Sequence, residues 1–256
     1  MLLTIDVGNT NITMGIFKDE EIIAHFRLAT VHERSMDEYG VLFVNFLLHR
    51  GIAVADIGGV IIASVVPEVM YSLERAVRNY IGKTPHVVKR HMVDMEVKID
   101  NPAELGADRL INAYAAKFIY GAPLIIVDFG TATTFCTISA KGEYLGGAIC
   151  PGIKISLDAL FSKTSKLPRV EIRRPEKVIG TNTVGSMQSG ILYGYVGQVN
   201  FIVEKIKEEM GERDVKVIAT GGLSNLINAE TDIFHAVDKL LTLKGLKKLY
   251  DEKFKN

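Results

Sequence analysis

Two stretches of this chain, 122 residues apart (124 against 2), follow one plan. Leu2–Phe17 reads LLTIDVGNTNITMGIF, and Leu124–Ser139 reads LIIVDFGTATTFCTIS. In both, a mainly apolar run leads into Asp-x-Gly, so Asp6 falls on Asp128 and Gly8 on Gly130. A run rich in Thr and β-branched residues follows each glycine. Each copy therefore reads as strand, tight polar turn, strand. An internal repeat at this spacing predicts two similar halves rather than one large sheet.

Later segments extend the repeat. Val60–Ala63 reads as a short buried strand followed by a helix through Tyr71–Tyr80. Val215–Thr220 is again a strand, followed by Gly221-Gly222 and a helix start at Ser224-Asn225, where the first half has Ser64-Val65 instead. The double glycine marks a place where backbone must come close to something on one side only. Ser35-Met36-Asp37-Glu38 is a capping box that opens a helix ending at Gly51. A second helix begins near Gly106–Arg109 and ends at Gly121, and a third runs from about Thr183 towards Met210. The alternation predicts an α/β protein of two duplicated lobes, each a mixed sheet with packed helices. The expected division is 1–117 and 118–256, with the boundary inside or just after a helix.

Composition narrows the class. Hydrophobic residues make up 48% and charged residues 23%, the balance of a chain that folds around a core. Lys+Arg and Asp+Glu are both 30, so no basic excess points to a nucleic-acid partner. Cys136 and Cys150 form no CxxC pair, and the six histidines show no metal spacing. No apolar run approaches the roughly 18 residues that span a bilayer, and no signal-peptide pattern precedes Asp6. The expectation is a cytoplasmic protein with neither a membrane nor a nucleic-acid partner.

Three phosphate-binding designs compete. Gly82-Lys83-Thr84 has the tail of a Walker A loop, but Val77 stands where its first glycine belongs, so it reads as a helix end and turn. A G-x-G-x-x-G fingerprint is absent. The third design is a pair of hairpin turns whose glycines let backbone N–H groups converge on an anion. Gly8-Asn9-Thr10-Asn11 and Gly130-Thr131-Ala132-Thr133 supply those turns. Carboxylates repel phosphate, so Asp6 and Asp128 make sense there as holders of cations that neutralise it. The residues alone do not decide whether the second acid holds another magnesium or a different cation.

Asp6-Val7-Gly8-Asn9-Thr10-Asn11, Asp128-Phe129-Gly130-Thr131-Ala132-Thr133-Thr134 and Ala219-Thr220-Gly221-Gly222-Leu223 resemble the two phosphate motifs and the adenosine motif of the actin/Hsp70/sugar-kinase superfamily, whose lobes are ribonuclease H-like. Asn101-Pro102 through Gly106-Ala107-Asp108-Arg109, Gly180-Thr181-Asn182-Thr183 and Leu241–Leu246 narrow the likeness to the type III pantothenate kinases. That resemblance implies transfer of phosphate from ATP to pantothenate, giving 4'-phosphopantothenate at the first step of coenzyme A biosynthesis. It implies Asp108 as general base, Gly106, Ala107, Asp108, Arg109 and Thr183 against pantothenate, and ATP on Asp6, Val7, Gly8, Asn9, Thr10, Asn11, Ile12, Thr13, Thr131, Gly221 and Gly222. It further implies Mg²⁺ near Asp6, through water, a monovalent cation (K⁺ or NH₄⁺) at Asp128, and a homodimer.

Read by themselves, several of these residues have plainer roles. Asp108 is an acid in a first helical turn, which the helix dipole favours anyway. Thr183 is a candidate N-cap, and Lys244, Lys247 and Lys248 read as a solvated helix face. Gly185, Ser186, Ser189, Gly190, Gly194 and Gly197 leave one face of the third helix small, which fits close helix approach either within the subunit or across a two-fold axis. Two alternative functions remain: another small-molecule kinase of the superfamily, or a non-catalytic transcriptional accessory factor.

Overall fold

The computed structural model describes residues 1–212 and 214–255, so Asn256, the last residue of the expected second lobe, lies outside it. Contacts divide the chain into two compact units. The first comprises Met1–Asp94, Ala103–Ala115 and the residues from Thr242 onward; the second comprises Met95–Pro102 and Ala116–Leu241.

The first unit is built on five strands: β1 (Leu2–Val7), β2 (Asn11–Lys18), β3 (Glu21–Ala29), β4 (Gly59–Ser64) and β5 (His86–Val87). Their order is β3-β2-β1-β4-β5, with β1 antiparallel to β2 and parallel to β4. The second unit uses β6 (Leu124–Phe129), β7 (Ala132–Ile138), β8 (Tyr144–Pro151), β9 (Lys216–Gly221) and β10 (Ala236–Val237). Its order, β8-β7-β6-β9-β10, repeats the first, again with the central strand antiparallel to one neighbour and parallel to the other. The duplication read from two Asp-x-Gly frames is therefore a duplication of topology. A central strand covered on both faces needs side chains that avoid water on both. Accordingly β1 and β6 share one burial pattern, broken only at the aspartate.

Helix α1 (Met36–His49) starts at Ser35, whose hydroxyl accepts from the Glu38 N–H while the Glu38 carboxylate accepts from the Ser35 N–H at 2.8 Å. This is the reciprocal cap expected from sequence. Helix α2 (Pro67–Ala76) continues as a π turn through Ile81 and stops at Gly82, φ +71°, as the reading of Gly82-Lys83-Thr84 required. The change of unit falls between Ala115 and Ala116, within helix α3 (Ala107–Tyr120). After α4 (Ile153–Lys163), an irregular strap leads to α5 (Thr183–Met210), and α6 (Ser224–Asn228) follows β9. Among the described residues no helix is long and apolar enough to cross a membrane.

The last helix, α7 (Leu241–Phe254), packs with the first unit, whereas a sequential cut assigns it to the second. Close packing explains the placement. Side chains of α7 occupy the space a Cβ would take at Gly15 (Leu243) and Gly59 (Tyr250), and Gly245 lies against Ile111 and Ala115. Of the lysines read as a solvated face, Lys247 is buried instead, and Lys244 and Lys248 are partly exposed. Lys247 is 5% exposed, donates to Glu20 at 2.9 Å and also pairs with Asp251, while Lys248 pairs with Glu252 at 2.9 Å.

Candidate active site

In the first unit the candidate residues gather at the carboxyl ends of the parallel strands β1 and β4, where open α/β sheets bind ligands. Asp6 is the penultimate residue of β1, paired with Thr13 on β2 and Ala63 on β4. Directly paired residues present side chains on one face, so Thr13 flanks the carboxylate. Gly8–Asn11 then turn the chain back, with the Gly8 N–H donating to the Asn11 carbonyl at 3.0 Å. Val7 and Ile12 bury their side chains completely, so only their main chain can meet a phosphate.

The loop is held from β3. Thr30 donates its hydroxyl to the Gly8 carbonyl at 2.6 Å and its N–H to the Thr10 carbonyl at 3.0 Å. Both bonds engage carbonyl oxygens, the groups that would repel an anion. Sequence reading missed Thr30, because Ala29-Thr30-Val31 looks like any strand end.

Asp108 stands in the first turn of α3, and the chain of contacts back to β1 is short. The Val65 N–H donates to the Val7 carbonyl at 3.0 Å. A Cβ on Gly106 would lie 3.3 Å from Val65 Cγ1 and 2.6 Å from Asp108 Oδ1. Gly106 thus lets the acid fold back beside the β1–β4 edge. Asp108 Oδ1 accepts from the Arg109 N–H at 2.7 Å. Burial pushes the Asp108 carboxyl above the usual aspartate range, and the Arg109 N–H and guanidinium only partly offset it. A raised carboxyl is a stronger proton acceptor, the property a general base needs.

The second unit repeats the arrangement with one change. Asp128 is paired with Thr134 on β7 and Thr220 on β9. Four residues separate the paired Val7 and Ile12, but only three separate Phe129 and Thr133. A constant offset therefore fits the first strands and slips by one residue beyond the turns. Thr134, rather than Phe135, stands where Thr13 stands in the first unit.

Around this shorter turn the backbone is crowded. Gly221, at φ +89°, has no room for a Cβ, which would lie 2.6 Å from both Asp128 Oδ1 and the Phe129 carbonyl. Ser64 holds the equivalent position opposite Val7 in the first unit. The Gly221 carbonyl accepts from the Ser224 hydroxyl at 2.8 Å, which fixes the turn into α6, and Gly222 is exposed beside it. Thr131, also exposed, tips the hairpin.

Thr183 lies elsewhere in this unit. Asn182 caps α5, its side chain accepting from the Gly185 N–H at 2.8 Å, so Thr183 is not the cap. Thr183 lines a cavity of about 520 Å³ with Leu167, Gly180–Asn182, Ser186 and Met187, a wall that includes no residue of either hairpin. The small face of α5 divides: Ser186 and Ser189 donate to the carbonyls of Gly180 and Val178, while Gly190, Gly194 and Gly197 face open space.

The acids suit hard cations. Each hairpin offers one carboxylate beside hydroxyl oxygens, and among the described residues no three His, Cys, Asp or Glu side chains converge as a metal cage. Mg²⁺ keeps most of its water and takes one or two carboxylates plus phosphate, so such a donor set fits it. The Asp6 carboxylate of the first unit and the Asp128 carboxylate of the second are the groups that could each hold such a cation.

A family model described as type III pantothenate kinase matches residues 2–205. Among solved structures, a conserved putative Baf family transcriptional activator from Campylobacter jejuni is similar at 21% identity and TM-score 0.59, covering 98% of each chain. A putative 2-dehydro-3-deoxygalactonokinase from Sinorhizobium meliloti is similar at 10% identity and TM-score 0.60, covering 99% of each chain. An ethanolamine utilization protein from Carboxydothermus hydrogenoformans matches at 14% identity and TM-score 0.52, over 95% of this chain and 88% of that one. At these identities the likeness establishes the two-lobed α/β fold.

Proposed function

The chain belongs to the type III pantothenate kinase family, and from that premise we propose that it moves the γ-phosphate of ATP onto the primary hydroxyl of pantothenate. The product would be 4'-phosphopantothenate, feeding coenzyme A synthesis in the cytoplasm. The observation that carries this reading is the placement of Asp108 within the first unit. Gly106 and Val65 connect its carboxylate to the end of β1, the strand that also bears Asp6 and leads into the Gly8–Asn11 loop.

In this mechanism the pantothenate hydroxyl oxygen attacks the γ-phosphorus. The new O–P bond forms as the bond to the β–γ bridging oxygen breaks, and ADP leaves. The hydroxyl proton passes to the Asp108 carboxylate. Little covalent work falls to the protein in phosphoryl transfer, so positioning dominates. Gly8–Thr13 and Thr131 hold phosphate oxygens through N–H and hydroxyl groups, and Gly221-Gly222 let the nucleotide pass close to the backbone. Asp6 would hold Mg²⁺ through water, and Asp128 a monovalent cation, K⁺ or NH₄⁺. Gly106, Ala107 and Arg109 take pantothenate, the guanidinium matching its carboxylate. Thr183 adds a hydroxyl on the wall of its own cavity. The exposed glycine face of α5 supports a homodimer joined through that helix.

The test is ADP release with a panel of acceptors, with and without potassium. Turnover on pantothenate that depends on K⁺ or NH₄⁺ supports the proposal; turnover confined to a sugar or sugar acid assigns the chain another acceptor.

A further inference from the structure

The two hairpins are held from outside by different means. In the first unit β3 ends at Ala29, paired with Asn11, and the next residue, Thr30, bonds the carbonyls of Gly8 and Thr10. In the second unit β8 ends at Pro151, paired with Ala132, and the next residue is Gly152. Thr30 and Gly152 stand 122 residues apart (152 against 30), the offset of the repeat, so Gly152 takes the place of the residue that fastens the first loop. Glycine has no hydroxyl to give. It fits here by close approach instead: a Cβ would have no room beside the Thr131 carbonyl oxygen and would lie 2.8 Å from that of Gly130. The main chain at Gly152 therefore packs on the two carbonyls of the Gly130-Thr131 turn, the groups that would repel an anion.

Local structure alone holds Gly152 weakly. Proline has no N–H, so the Ala132–Pro151 pair carries at most one ladder bond. Gly152 caps α4 without any side-chain bond. The missing hold comes from α5. Tyr195, 8% exposed, donates its hydroxyl to the Pro151 carbonyl at 2.8 Å. Its oxygen also lies 2.6 Å from Ser156 Oγ, and because a phenol carries a single proton, Ser156 is the donor in that bond. A buried tyrosine hydroxyl needs one partner. This one has two, the last residue of β8 and a residue at the start of α4, one on either side of Gly152. We propose that Tyr195 is a positioning residue for the nucleotide: through Pro151 and Gly152 it holds the Gly130-Thr131 turn in the shape that receives phosphate. The inference rests on the kinase reading above. Tyr195 does for the second hairpin what Thr30 does for the first, from a helix rather than a strand end.

Calorimetric titration with two probes, ADP and inorganic tripolyphosphate, both with Mg²⁺, reads the phosphate end of the ligand without any acceptor. Tyr195→Phe keeps the ring in the core and removes only the hydroxyl. It should weaken both probes by about fivefold, while the KM for pantothenate stays near wild type. Ser156→Ala leaves the bond to Pro151 in place and gives an independent reading if Tyr195→Phe fails to fold, with an expected loss of about twofold for both probes. Wild-type affinity for both probes in the folded variants, or a loss confined to ADP, overturns the role given to Tyr195 and leaves the kinase reading standing. So does an equal rise in the KM for pantothenate, the mark of general packing. Wild-type protein that binds neither probe overturns both.

Discussion

The Thr30 hydroxyl donates to the Gly8 carbonyl at 2.6 Å, fastening the first hairpin loop to the end of the neighbouring strand. Thr30→Val keeps the shape and the N–H bond to Thr10 but removes that donor. One partly buried hydrogen bond contributes about 1 kcal/mol, so the KM for ATP should rise about fivefold. The KM for pantothenate should stay near wild type, and Thr30→Ser should restore the ATP value. Equal changes in both KM values, or no rescue by serine, would place Thr30 in general packing rather than in holding the loop.

Gly221 makes a sharper demand. At φ +89°, with Asp128 Oδ1 and the Phe129 carbonyl each 2.6 Å from an added Cβ, alanine must displace backbone. Strain of this kind costs about 1–3 kcal/mol. Gly221→Ala should lower the thermal midpoint by several degrees and weaken nucleotide binding, whereas Gly222→Ala should do less to stability. A Gly221→Ala protein as stable as wild type would contradict the close approach.

Lys247 offers a test of α7 docking. Burial by itself pushes its ammonium down, but hydrogen bonds to Asp251 and Glu20 outweigh this and leave its pKa raised. A raised lysine stabilises the fold below its unfolded pKa, and the gain is lost as pH climbs through the folded value. Lys247→Met should therefore destabilise at neutral pH by about 1–2 kcal/mol, discounted because Glu20 is largely solvent-exposed. The deficit should shrink in strongly alkaline buffer. A deficit independent of pH would assign the loss to packing alone.

Much of this was legible from two short frames. Asp6 and Asp128 marked the repeat, and the sheets confirm it strand for strand. Ser35 and Glu38 announced α1 because a capping box is a local interaction, complete within four residues. What stayed hidden depends on distant partners. The pairing of Thr30 with Gly8 spans 22 residues and that of Lys247 with Glu20 spans 227, and neither leaves a local pattern. Thr183 read as the candidate cap of α5, and only geometry shows that the preceding residue, Asn182, fills that place. The one-residue slip between the hairpins is invisible because threonine occurs on both sides of it.

Asp108 also governs pH behaviour. Its carboxyl is raised in the folded protein by burial, so folding favours the protonated form and charging it costs stability. That cost is present above the raised value and disappears as pH falls towards the ordinary aspartate range. Asp108→Asn should accordingly be at least as stable as wild type at neutral pH, with the advantage fading in acid. The acid limb of kcat/KM should lie above the ordinary aspartate range, because only the ionised carboxylate accepts the proton.

The most direct measurement is single-turnover phosphoryl transfer from ATP to pantothenate by wild type and Asp108→Asn, with nucleotide binding followed in parallel. The mutant is expected to bind ATP normally and transfer phosphate on the order of a hundredfold or more slowly, about the contribution of a positioned base. Transfer at near wild-type rate by Asp108→Asn, with pantothenate as acceptor, would contradict the role given to that residue.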